Sequence, residues 1–588
     1  MNASQVSRVP SLRWRFTSIG AVFALVGVVI FIQLIRIQIS PQAEVFRKQS
    51  ALYSGVWKTL SPARGQIYDR WGHILAANRT VYQIGVEYQS VKDPASIAFA
   101  LQVVLGEDYN RIYGVADPNA NPELVYAVLA DYVPAEKVLQ LQQFSDEMNG
   151  TFGEDQPVRD LSGIIYTPHL QRSYPENNLA SNILGFVSRE GKGYFGVEEK
   201  YNDLLAGVSR TVWMPSDPNQ IEALPDIPPG ASLILTIDRE IQDMVEKVLD
   251  DSVSFWGAES GTIAVMDPRT GEILAMATTG RINLNEYWKF TDTIGGQTPF
   301  NQAIGKDYEP GSVFKVLTMA AGLDSGAVQP DTEFLDTGVI EVGGIQIHNW
   351  NYGAWGPQSM TGCMQHSLNV CLAWIATQLG PQRFYDYMQA FGFGHSTGID
   401  LSGEVVGRLK LPGDSNWYAA DLGTNSFGQG LSVTPAQMLM AVSALANDGE
   451  MVVPHLLLGI VNNGRQYNPP PQIAGTPIKP ETARTLTEML ANSLESEASN
   501  ALVEGYRVAG KTGTAEIPTP YGYTSDQTNT SFVGWGPVDN PQFLVYVWLE
   551  KPSSSIWGSE VAAPVFSEIV QRLVVLLNIP PDGTLNGQ

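Results

Sequence analysis

An uninterrupted apolar run lies near the start of the chain. Residues 16–35 carry no charge, and their main polar interruptions are Thr17, Ser18 and Gln33. A helix of this length is long enough to cross a lipid bilayer. We therefore predict a transmembrane helix. The alternative is a cleaved signal peptide, but the run exceeds a usual signal core, and residues 37–43 offer no small-residue cleavage site.

Basic residues precede this run. Arg8, Arg13 and Arg15 lie just before it, and positive charge favours the cytoplasmic side of a membrane. We expect the short N-terminus in the cytoplasm and the chain from about residue 40 onward on the outer side. The protein would then be held by a single membrane pass.

Strand and helix patterns alternate in the next region. Apolar and polar residues alternate around an Asp-Arg-x-Gly turn in residues 63–77, which predicts a β-hairpin, and residues 81–86 would extend its sheet. Helical spacing occurs in residues 95–105 and 122–141. A later block would end in a helix that stops at Gly207.

Residues 225–230 mark a boundary, because their prolines interrupt both helices and strands. Beyond it, the pattern places strands at both ends of a domain and helices between and after them. The predicted strands are residues 233–237, 261–267, 272–277, 530–535 and 543–549, and the predicted flanking helices are residues 239–253 and 562–577. This order is typical of an α+β domain built on one antiparallel sheet.

Composition narrows the possibilities. A chain of 588 residues that is 44% hydrophobic can form two or three folded units. Its formal net charge of −24 argues against a nucleic-acid partner, which requires a basic face. Cys363 and Cys371 are the only cysteines, which excludes a cysteine-rich metal site. We expect two free, buried thiols, although a turn between them would allow a disulfide.

Residues 505–512 match G-x-x-x-x-G-K-[ST], the pattern of a phosphate-binding loop. Such a loop follows a buried strand and leads directly into the N-terminus of a helix. Here a helical pattern precedes the match in residues 482–502, and Pro518 and Pro520 follow it, so neither condition is met. We predict a strand over residues 508–516 instead.

In that strand, side chains alternate between two faces. Lys511 and Gly513 would share one face, while Thr512 and Thr514 would share the other. Because Gly513 has no side chain, a ligand could lie close to the strand. The pattern therefore predicts an edge on which a peptide docks.

A serine and a lysine three residues apart form a candidate nucleophile and base. Pro-Gly precedes Ser312 and apolar residues at helical spacing follow it, so Ser312 should lie at a helix N-terminus. Ser312 and Lys315 would then share one face, where the amine can accept the hydroxyl proton. By itself, the pair is also compatible with a helix cap and a surface lysine.

Ser367 and Asn369 form a third element. Their Ser-x-Asn pattern offers a hydroxyl relay and an amide that can bind a substrate carbonyl or a lysine, although such a tripeptide alone is more often a turn or cap. The ordered occurrence of all three elements, each in a suitable local setting, is far less frequent by chance than any one of them alone.

These motifs resemble those of the class B penicillin-binding proteins, the monofunctional peptidoglycan D,D-transpeptidases. The resemblance covers nearly the whole chain from Arg64 onward. Its segments are Arg64-Gly-Gln-Ile-Tyr-Asp-Arg-Trp-Gly72, Gly193-Tyr-Phe-Gly-Val-Glu198, Glu309-Pro-Gly-Ser-Val-Phe-Lys315, Ser426-Phe-Gly-Gln-Gly430 with Thr434-Pro435, and Lys511-Thr-Gly-Thr-Ala515. Trp71 and Leu368 depart from residues frequent in the family, but neither departure removes a catalytic group.

The resemblance implies a role for each candidate residue. Ser312 would be the acylated nucleophile, Lys315 its base, and Ser367 the relay toward the leaving amine. Asn369 would hold the donor peptide. The residues that would bind its terminal carboxylate lie on the predicted strand: Lys511, also a catalytic group, with Thr512, Gly513 and Thr514. Backbone amides of Ser312 and Thr514 would form the oxyanion hole.

The implied fold is α+β and has three parts. Residues 1–40 would form the cytoplasmic tail and anchor, residues 41–225 a mainly β, elongated pedestal similar to a dimerisation domain, and residues 226–588 a β-lactamase-like transpeptidase domain with an antiparallel sheet and helices. The implied partners are donor and acceptor stem peptides of peptidoglycan, β-lactams and a polytopic membrane glycosyltransferase. No metal or cofactor is implied.

Two other functions stay open at this point. A β-lactamase or carboxypeptidase on the same fold would pass the acyl group to water, although no carboxylate suggests itself for deacylation, and the anchor and pedestal suit wall assembly. A non-catalytic receptor or scaffold would bind β-lactams or partner proteins without turnover.

Overall fold

The computed structural model describes most of the chain. The described residues are 13–39, 55–150, 160–215, 226–295, 298–497, 499–519 and 522–582. The chain divides into two units, of which the smaller comprises residues 1–62 and 208–228 and the larger comprises residues 63–207 and 229–588.

Helices and strands alternate along the described chain. The helices are α1 (Arg13–Ile39), α2 (Pro94–Leu105), α3 (Tyr109–Ala116), α4 (Ala135–Gly150), α5 (Ser181–Leu184), α6 (Gly196–Lys200), α7 (Asn202–Ala206), α8 (Arg239–Trp256), α9 (Phe290–Ile294), α10 (Gln302–Gly305), α11 (Lys315–Asp324), α12 (Met360–Gln365), α13 (Asn369–Ala390), α14 (Ala419–Asn425), α15 (Pro435–Ala446), α16 (Pro480–Ser496) and α17 (Gly558–Leu576). The 3-10 helices are Tyr88–Ser90, Leu284–Lys289 and Gly311–Phe314.

The strands are mostly short before residue 509 and longer after it. They are β1 (Gly55–Leu60), β2 (Ile67–Tyr68), β3 (Ile74–Glu87), β4 (Tyr126–Pro134), β5 (Ile164–Ser173), β6 (Phe186–Val187), β7 (Gly193–Tyr194), β8 (Arg210–Pro215), β9 (Ser232–Leu235), β10 (Ser260–Met266), β11 (Ile273–Thr278), β12 (Phe334–Asp336), β13 (Val339–Val342), β14 (Ile345–His348), β15 (Gly356–Gln358), β16 (Met451–Val452), β17 (Leu457–Asn462), β18 (Arg465–Tyr467), β19 (Ile473–Gly475), β20 (Ala509–Thr519), β21 (Gly522–Gly536) and β22 (Phe543–Glu550).

The smaller unit contains the predicted N-terminal helix. From Trp14 to Ile39, α1 is long and apolar enough to cross a membrane, which confirms the apolar helix. In the same unit β1 pairs antiparallel with β8, and the rings of Trp57 and Trp213 meet edge to face. Arg8, the residues after Ile39 searched for a cleavage site, and the first proline of the 225–230 boundary lie outside the described residues.

In the larger unit, residues 63–207, which we call the pedestal region, contribute to a seven-stranded sheet. Its order is β18-β17-β9-β2-β3-β4, and β5 also pairs with β3. Strands β2 and β3 pair antiparallel, which confirms the predicted hairpin, and β3 runs on through the predicted extension. In the turn, Asp69 Oδ1 accepts the backbone N–H groups of Trp71 and His73. Strand β9, which follows the proline boundary, runs parallel to β2.

One predicted helix in this region is wrong in its first half. The residues predicted to be helical, 122–141, include β4, which pairs antiparallel with β3. Helix α4 begins only at Ala135. Tyr126, Val128 and Val133 are residue types that favour strands, and the hydrogen bonds offered by β3 outweigh the local helical pattern. The helix predicted over residues 95–105 is confirmed as α2.

Segments of the pedestal region meet at one buried carboxylate. Glu198 is fully buried and lies 2.7 Å from Arg64 Nε and 2.6 Å from Arg172 Nε. Arg64 also donates to the carbonyl of Glu198 and to Asn202 Oδ1, and Arg172 donates to the carbonyl of Gly65. Charged hydrogen bonds of this kind are the strong ones, so the cluster fixes the separate motifs of this region against one another.

The five-stranded antiparallel sheet of the larger unit has the order β11-β10-β22-β21-β20. Its central strands are almost entirely buried, because both faces are covered. Helices α8 and α17 pack with one face, while α11, α13, α15 and α16 belong to the core on the other. This confirms the predicted α+β domain, and β20 confirms the strand predicted over residues 508–516.

The two cysteines are bonded, so the expectation of free thiols is wrong. Helix α12 ends at Gln365 and α13 begins at Asn369, and the turn between them brings the Cα atoms of Cys363 and Cys371 within 6.1 Å. The bond therefore closes the turn that carries Ser367.

Replacing Glu198 by Gln should lower the free energy of unfolding by about 3 kcal/mol, because two buried guanidinium groups lose their charge partner. Urea unfolding of the full-length protein in detergent, followed by tryptophan fluorescence, measures the change. Glu190→Gln removes a carboxylate from an exposed position and should alter stability by no more than about 0.5 kcal/mol. Equal effects of the two variants would contradict the argument from buried charge.

Candidate active site

Ser312 lies in a tight turn at the start of α11. The 3-10 helix Gly311–Phe314 carries it, and Gly311 adopts a φ of +59°, a conformation that favours glycine. Val313 and Phe314 are fully buried, whereas Ser312 is partly exposed. The turn thus anchors its apolar side chains in the core and leaves the serine accessible, as the predicted helix N-terminus requires.

Lys315 follows Ser312 by one helical turn and is fully buried. Its Nζ donates to the carbonyl of Ser367 at 2.6 Å, to Ser367 Oγ at 3.1 Å and to Asn369 Oδ1 at 2.8 Å. A buried amine requires such partners, since without them its transfer from water is unfavourable. The structure therefore brings together Lys315, Ser367 and Asn369 from two distant motifs.

The turn that carries Ser367 is held from several sides. Ser367 has a φ of +54°, which is uncommon for a residue other than glycine and typical of functional sites. The N–H of Leu368 donates to the carbonyl of Cys363 at 3.0 Å, and Asn369 Nδ2 donates to the carbonyl of His348 at 3.0 Å. Both ends of the Asn369 amide therefore take part in fixing the site.

Lys511 brings a second amine to the site from β20. It is 5% exposed, and its Nζ lies 3.4 Å from the carbonyl of Thr512 and 3.3 Å from Thr512 Oγ1. Along this strand Lys511 and Gly513 are buried, whereas Thr512 and Thr514 are partly exposed. The predicted division of these four residues between two faces is confirmed.

Burial changes the protonation of both lysines. Burial lowers the pKa of Lys315 well below its usual range, and the charge of Lys511 lowers it further. Burial also lowers the pKa of Lys511 to about 8, against an opposing effect of the Glu497 carboxylate. Lys315 is therefore suited to accept a proton, and Lys511 can carry a positive charge at neutral pH.

Gly513 allows β20 to contact the serine turn directly. A Cβ atom at this position would lie 2.2 Å from Ser531 Oγ, 3.0 Å from Val313 Cγ1 and 3.3 Å from the carbonyl oxygen of Pro310. Since no real Cβ tolerates the first of these distances, only glycine fits here without a shift. The backbone of β20 thereby supports the turn that contains Ser312.

The Ser426–Gly430 segment contacts the same turn. Gly428 has a φ of +81°, its carbonyl accepts the N–H of Gly311 at 3.0 Å, and the carbonyl of Ser426 accepts a hydrogen bond from Thr318 on α11 at 2.8 Å. The sequence motif thus has a structural role, which is to support the turn that contains Ser312 and the helix α11 that follows it.

Sequence reasoning missed a group of polar residues near the end of β20. Tyr523 donates to Glu309 Oε2 at 3.0 Å, and Gln429 donates to Glu516 Oε2 at 3.2 Å. Burial raises the pKa of Glu309, and the hydrogen bond from Tyr523 opposes that rise. Glu309 and Gln429 lie inside recognised motifs and could have been noticed, but Tyr523 lies outside them.

The phosphate-loop interpretation of residues 505–512 does not fit the structure. Gly505 lies in a turn, in which Tyr506 donates to the carbonyl of Val503, and the extended strand β20 begins at Ala509. No helix begins at Lys511 in this described segment. The segment is therefore the predicted strand, and it lacks the helix on which a phosphate-binding loop depends.

Comparison with known proteins agrees with this geometry. The chain matches the penicillin-binding protein transpeptidase domain over residues 261–571 and the penicillin-binding protein dimerisation domain over residues 59–215. It is 30% identical to stage V sporulation protein D of Bacillus subtilis over 95% of this chain and 85% of that protein. It is 28% identical to the peptidoglycan D,D-transpeptidase FtsI of Escherichia coli, over 98% and 94% of the two chains.

A solved structure shows the same similarity. Penicillin-binding protein 3 of Mycobacterium tuberculosis, complexed with aztreonam, matches with a TM-score of 0.68 and 25% identity, over 89% of this chain and 98% of that chain. The chain belongs to the penicillin-binding protein transpeptidase family. Within that family it is a class B protein, one of the monofunctional peptidoglycan D,D-transpeptidases, which confirms the resemblance recognised in its motifs.

Gly513→Ala should slow acylation by a fluorescent penicillin by about 100-fold, because displacing the serine turn by a fraction of an ångström misaligns the reacting groups. Stopped-flow or gel-based labelling of the full-length protein measures the rate. Gly114→Ala is the control, since its Cβ would meet nothing within 4 Å, and it should label at the rate of the natural protein.

A second variant tests the cause of that loss. Adding Ser531→Ala to Gly513→Ala removes the Oγ atom nearest to the new Cβ and should restore part of the rate. If Gly513→Ala alone labelled normally, β20 could not be supporting the serine turn as described.

Proposed function

We propose that the protein cross-links peptidoglycan stem peptides through an acyl-enzyme on Ser312. The observation that carries this assignment is the buried amine of Lys315, which follows Ser312 by three residues in the chain and donates to Ser367 and Asn369. Its lowered pKa suits a base that must be neutral to accept the proton of Ser312. No metal or cofactor is required.

In the first half-reaction, Ser312 Oγ attacks the carbonyl carbon of the penultimate D-Ala while Lys315 accepts the hydroxyl proton. The backbone amides of Ser312 and Thr514 would stabilise the oxyanion, where one donor contributes about 3 kcal/mol. Lys511, Thr512 and Thr514 would bind the terminal carboxylate, and Asn369 would hold the donor backbone. D-Ala leaves after its nitrogen receives a proton.

Ser367 is suited to deliver that proton. Its hydroxyl is within 3.1 Å of Lys315 Nζ, so a proton taken from Ser312 can pass from the amine through Ser367 to the leaving nitrogen. In the second half-reaction, an amine of a neighbouring stem peptide would attack the ester, and the same groups would return the proton to Ser312 Oγ.

We further propose a topology and a domain division. The N-terminus would be cytoplasmic, α1 would cross the membrane once, and the catalytic domain would lie on the extracytoplasmic side. The reason is that basic residues flank the apolar helix on its N-terminal side. The divisions are residues 1–40, 41–225 and 226–588. The partner would be a polytopic membrane glycosyltransferase that supplies glycan strands.

Labelling with a fluorescent penicillin tests the nucleophile. The natural protein should be acylated on a peptide that contains Ser312, as mapped by mass spectrometry, and Ser312→Ala should not be labelled. Acylation at another residue would contradict the site, and failure of the natural protein to be acylated would favour the non-catalytic receptor.

A second assay separates transfer from hydrolysis. With a donor stem peptide that ends in D-Ala-D-Ala and a D-amino acid as acceptor, a transpeptidase should form the exchanged peptide faster than it forms the hydrolysed one. A predominance of hydrolysis would favour the carboxypeptidase or β-lactamase alternative.

The acylation rate should depend on pH with a maximum. It should rise as pH passes through the lowered pKa of Lys315, because the neutral amine is the base, and should fall near pH 8 as Lys511 loses its charge. Rates measured across this range give both limbs. Arginine keeps its charge at alkaline pH, so Lys511→Arg should move the falling limb to higher pH, even if the maximal acylation rate of this variant is lower. An unchanged limb in that variant would exclude Lys511 as its cause.

A further inference from the structure

A cavity of about 350 Å³ lies beside the C-terminal part of β20. One wall is the segment 306–309, which leads into the turn that contains Ser312. Ile517 and Pro518 of β20 and Trp548 of β22 line other sides. Volumes of this size are typical of sites for small ligands. The cavity therefore has room for one side chain of a bound peptide.

Hydrogen bonds and ring stacking hold the walls of this cavity together. Ser432 Oγ donates to Asp307 Oδ2 at 2.5 Å and accepts the backbone N–H of Arg408 at 3.0 Å. The rings of Tyr308 and Trp548 stack with their centroids 4.3 Å apart. Segments that are distant in the chain are thus fixed around one space.

Charges of both signs line the cavity. Lys306 and Glu550 form an ion pair, so these two charges compensate each other. Asp307 and Glu309 accept hydrogen bonds from neutral hydroxyl groups, which leave their negative charges uncompensated. Within the described part of the chain, the guanidinium of Arg408 forms no ion pair. A ligand that carries both a carboxylate and an ammonium therefore matches this lining, whereas a ligand with one charge matches only part of it.

Two buried polar atoms of the lining have no hydrogen-bond partner among the described residues. They are Trp548 Nε1 and Asn529 Oδ1. Buried polar groups in proteins are nearly always hydrogen-bonded, so such atoms require an explanation. Since Trp548 offers a donor and Asn529 an acceptor, a polar ligand suits the cavity better than an apolar one.

The cavity lies on the path that the proposed function gives to the donor peptide. The terminal carboxylate would lie at Lys511 and the reacting carbonyl at the Thr514 amide, so the preceding donor residues run toward the C-terminal end of β20. From Thr514 to Ile517 an extended strand rises about 10 Å. One peptide residue spans about 3.5 Å, and a long side chain covers the remaining distance. The donor residue just before the penultimate D-Ala is therefore the one that reaches the cavity.

We propose that the cavity binds the side chain of that donor residue and selects one that ends in a zwitterion, with an ammonium and a carboxylate on the same carbon. Arg408 binds the carboxylate, since a guanidinium offers paired N–H donors. Asp307 and Glu309 bind the ammonium. The inference rests on the proposed function, because it uses the direction of the donor along β20.

Two synthetic donors that end in D-Ala-D-Ala test this proposal. They differ only at the preceding residue, whose side-chain carboxylate is free in one donor and amidated in the other. Release of D-Ala by the full-length protein gives kcat/KM for each donor. The natural protein should use the zwitterionic donor about fivefold better than the amidated one. Arg408→Gln should abolish this preference, through a loss with the zwitterionic donor.

Two further variants control for the loss of a cation. Arg408→Lys keeps the charge but not the paired donors, so it should retain part of the preference. Arg383→Gln should retain all of it, since Arg383 is an exposed arginine on α13 that does not line the cavity. Equal use of the two donors by the natural protein would overturn the proposal, including the case in which a free amino acid occupies the cavity. An Arg408→Gln variant that keeps the preference would overturn it as well.

Labelling with a fluorescent penicillin separates this inference from the proposed function. Arg408→Gln should still be labelled on Ser312, which shows that the variant is folded. If the natural protein is not acylated on Ser312, the proposed function fails. If the natural protein is acylated there and releases D-Ala from both donors equally, only the role of the cavity fails.

Discussion

The burial of one lysine amine is the constraint on which the rest of the site depends. Lys315 is fully removed from solvent, and an amine in that position must be matched by oxygen acceptors. The acceptors come from Ser367 and Asn369, so hydrogen bonding of the amine also brings the turn that carries Ser367 to the helix that follows Ser312. The same burial lowers the pKa of this amine, as the base in the proposed mechanism requires, so structural and chemical requirements coincide.

The second constraint is the close approach of two backbone segments to the turn that contains Ser312. Gly513 lets β20 contact the serine turn, and Gly428 lets a further segment contact it from the loop after α14. These approaches leave no space for side chains, and Ser367 adopts a positive φ within the same site. Local strain of this kind persists only where the surrounding structure holds it, which here includes the Cys363–Cys371 bond.

The same principle of charge compensation recurs in the pedestal region. Glu198 is as buried as Lys315, and two guanidinium groups surround it. In both places a buried charge is matched by partners that lie far away in the chain, so the charge specifies which segments must meet. Desolvation offsets much of the attraction within such a cluster, whereas removal of one partner leaves an uncompensated buried charge and is strongly destabilising.

Local patterns in the sequence were sufficient for several elements. The apolar length of α1, the alternation of β20 and the one-turn spacing of Ser312 and Lys315 depend on neighbours within a few residues, and all three are present in the structure. Residues 126–134 were predicted to be helical but form a strand, because they pair with β3. The two cysteines were expected to be free but are bonded, because a turn between two helices brings them together. Neither partner nor turn is visible in local periodicity.

The sequence by itself determined the apolar N-terminal helix, the α+β class of the transpeptidase domain and the types of residue available at the candidate site. Only the tertiary structure decided that Lys315 meets residues 52 and 54 positions away and that both Lys315 and Lys511 are buried. The physical reason is that periodicity reports contacts along one helix or strand. Burial, and the pKa changes that follow from it, depend on which elements pack together.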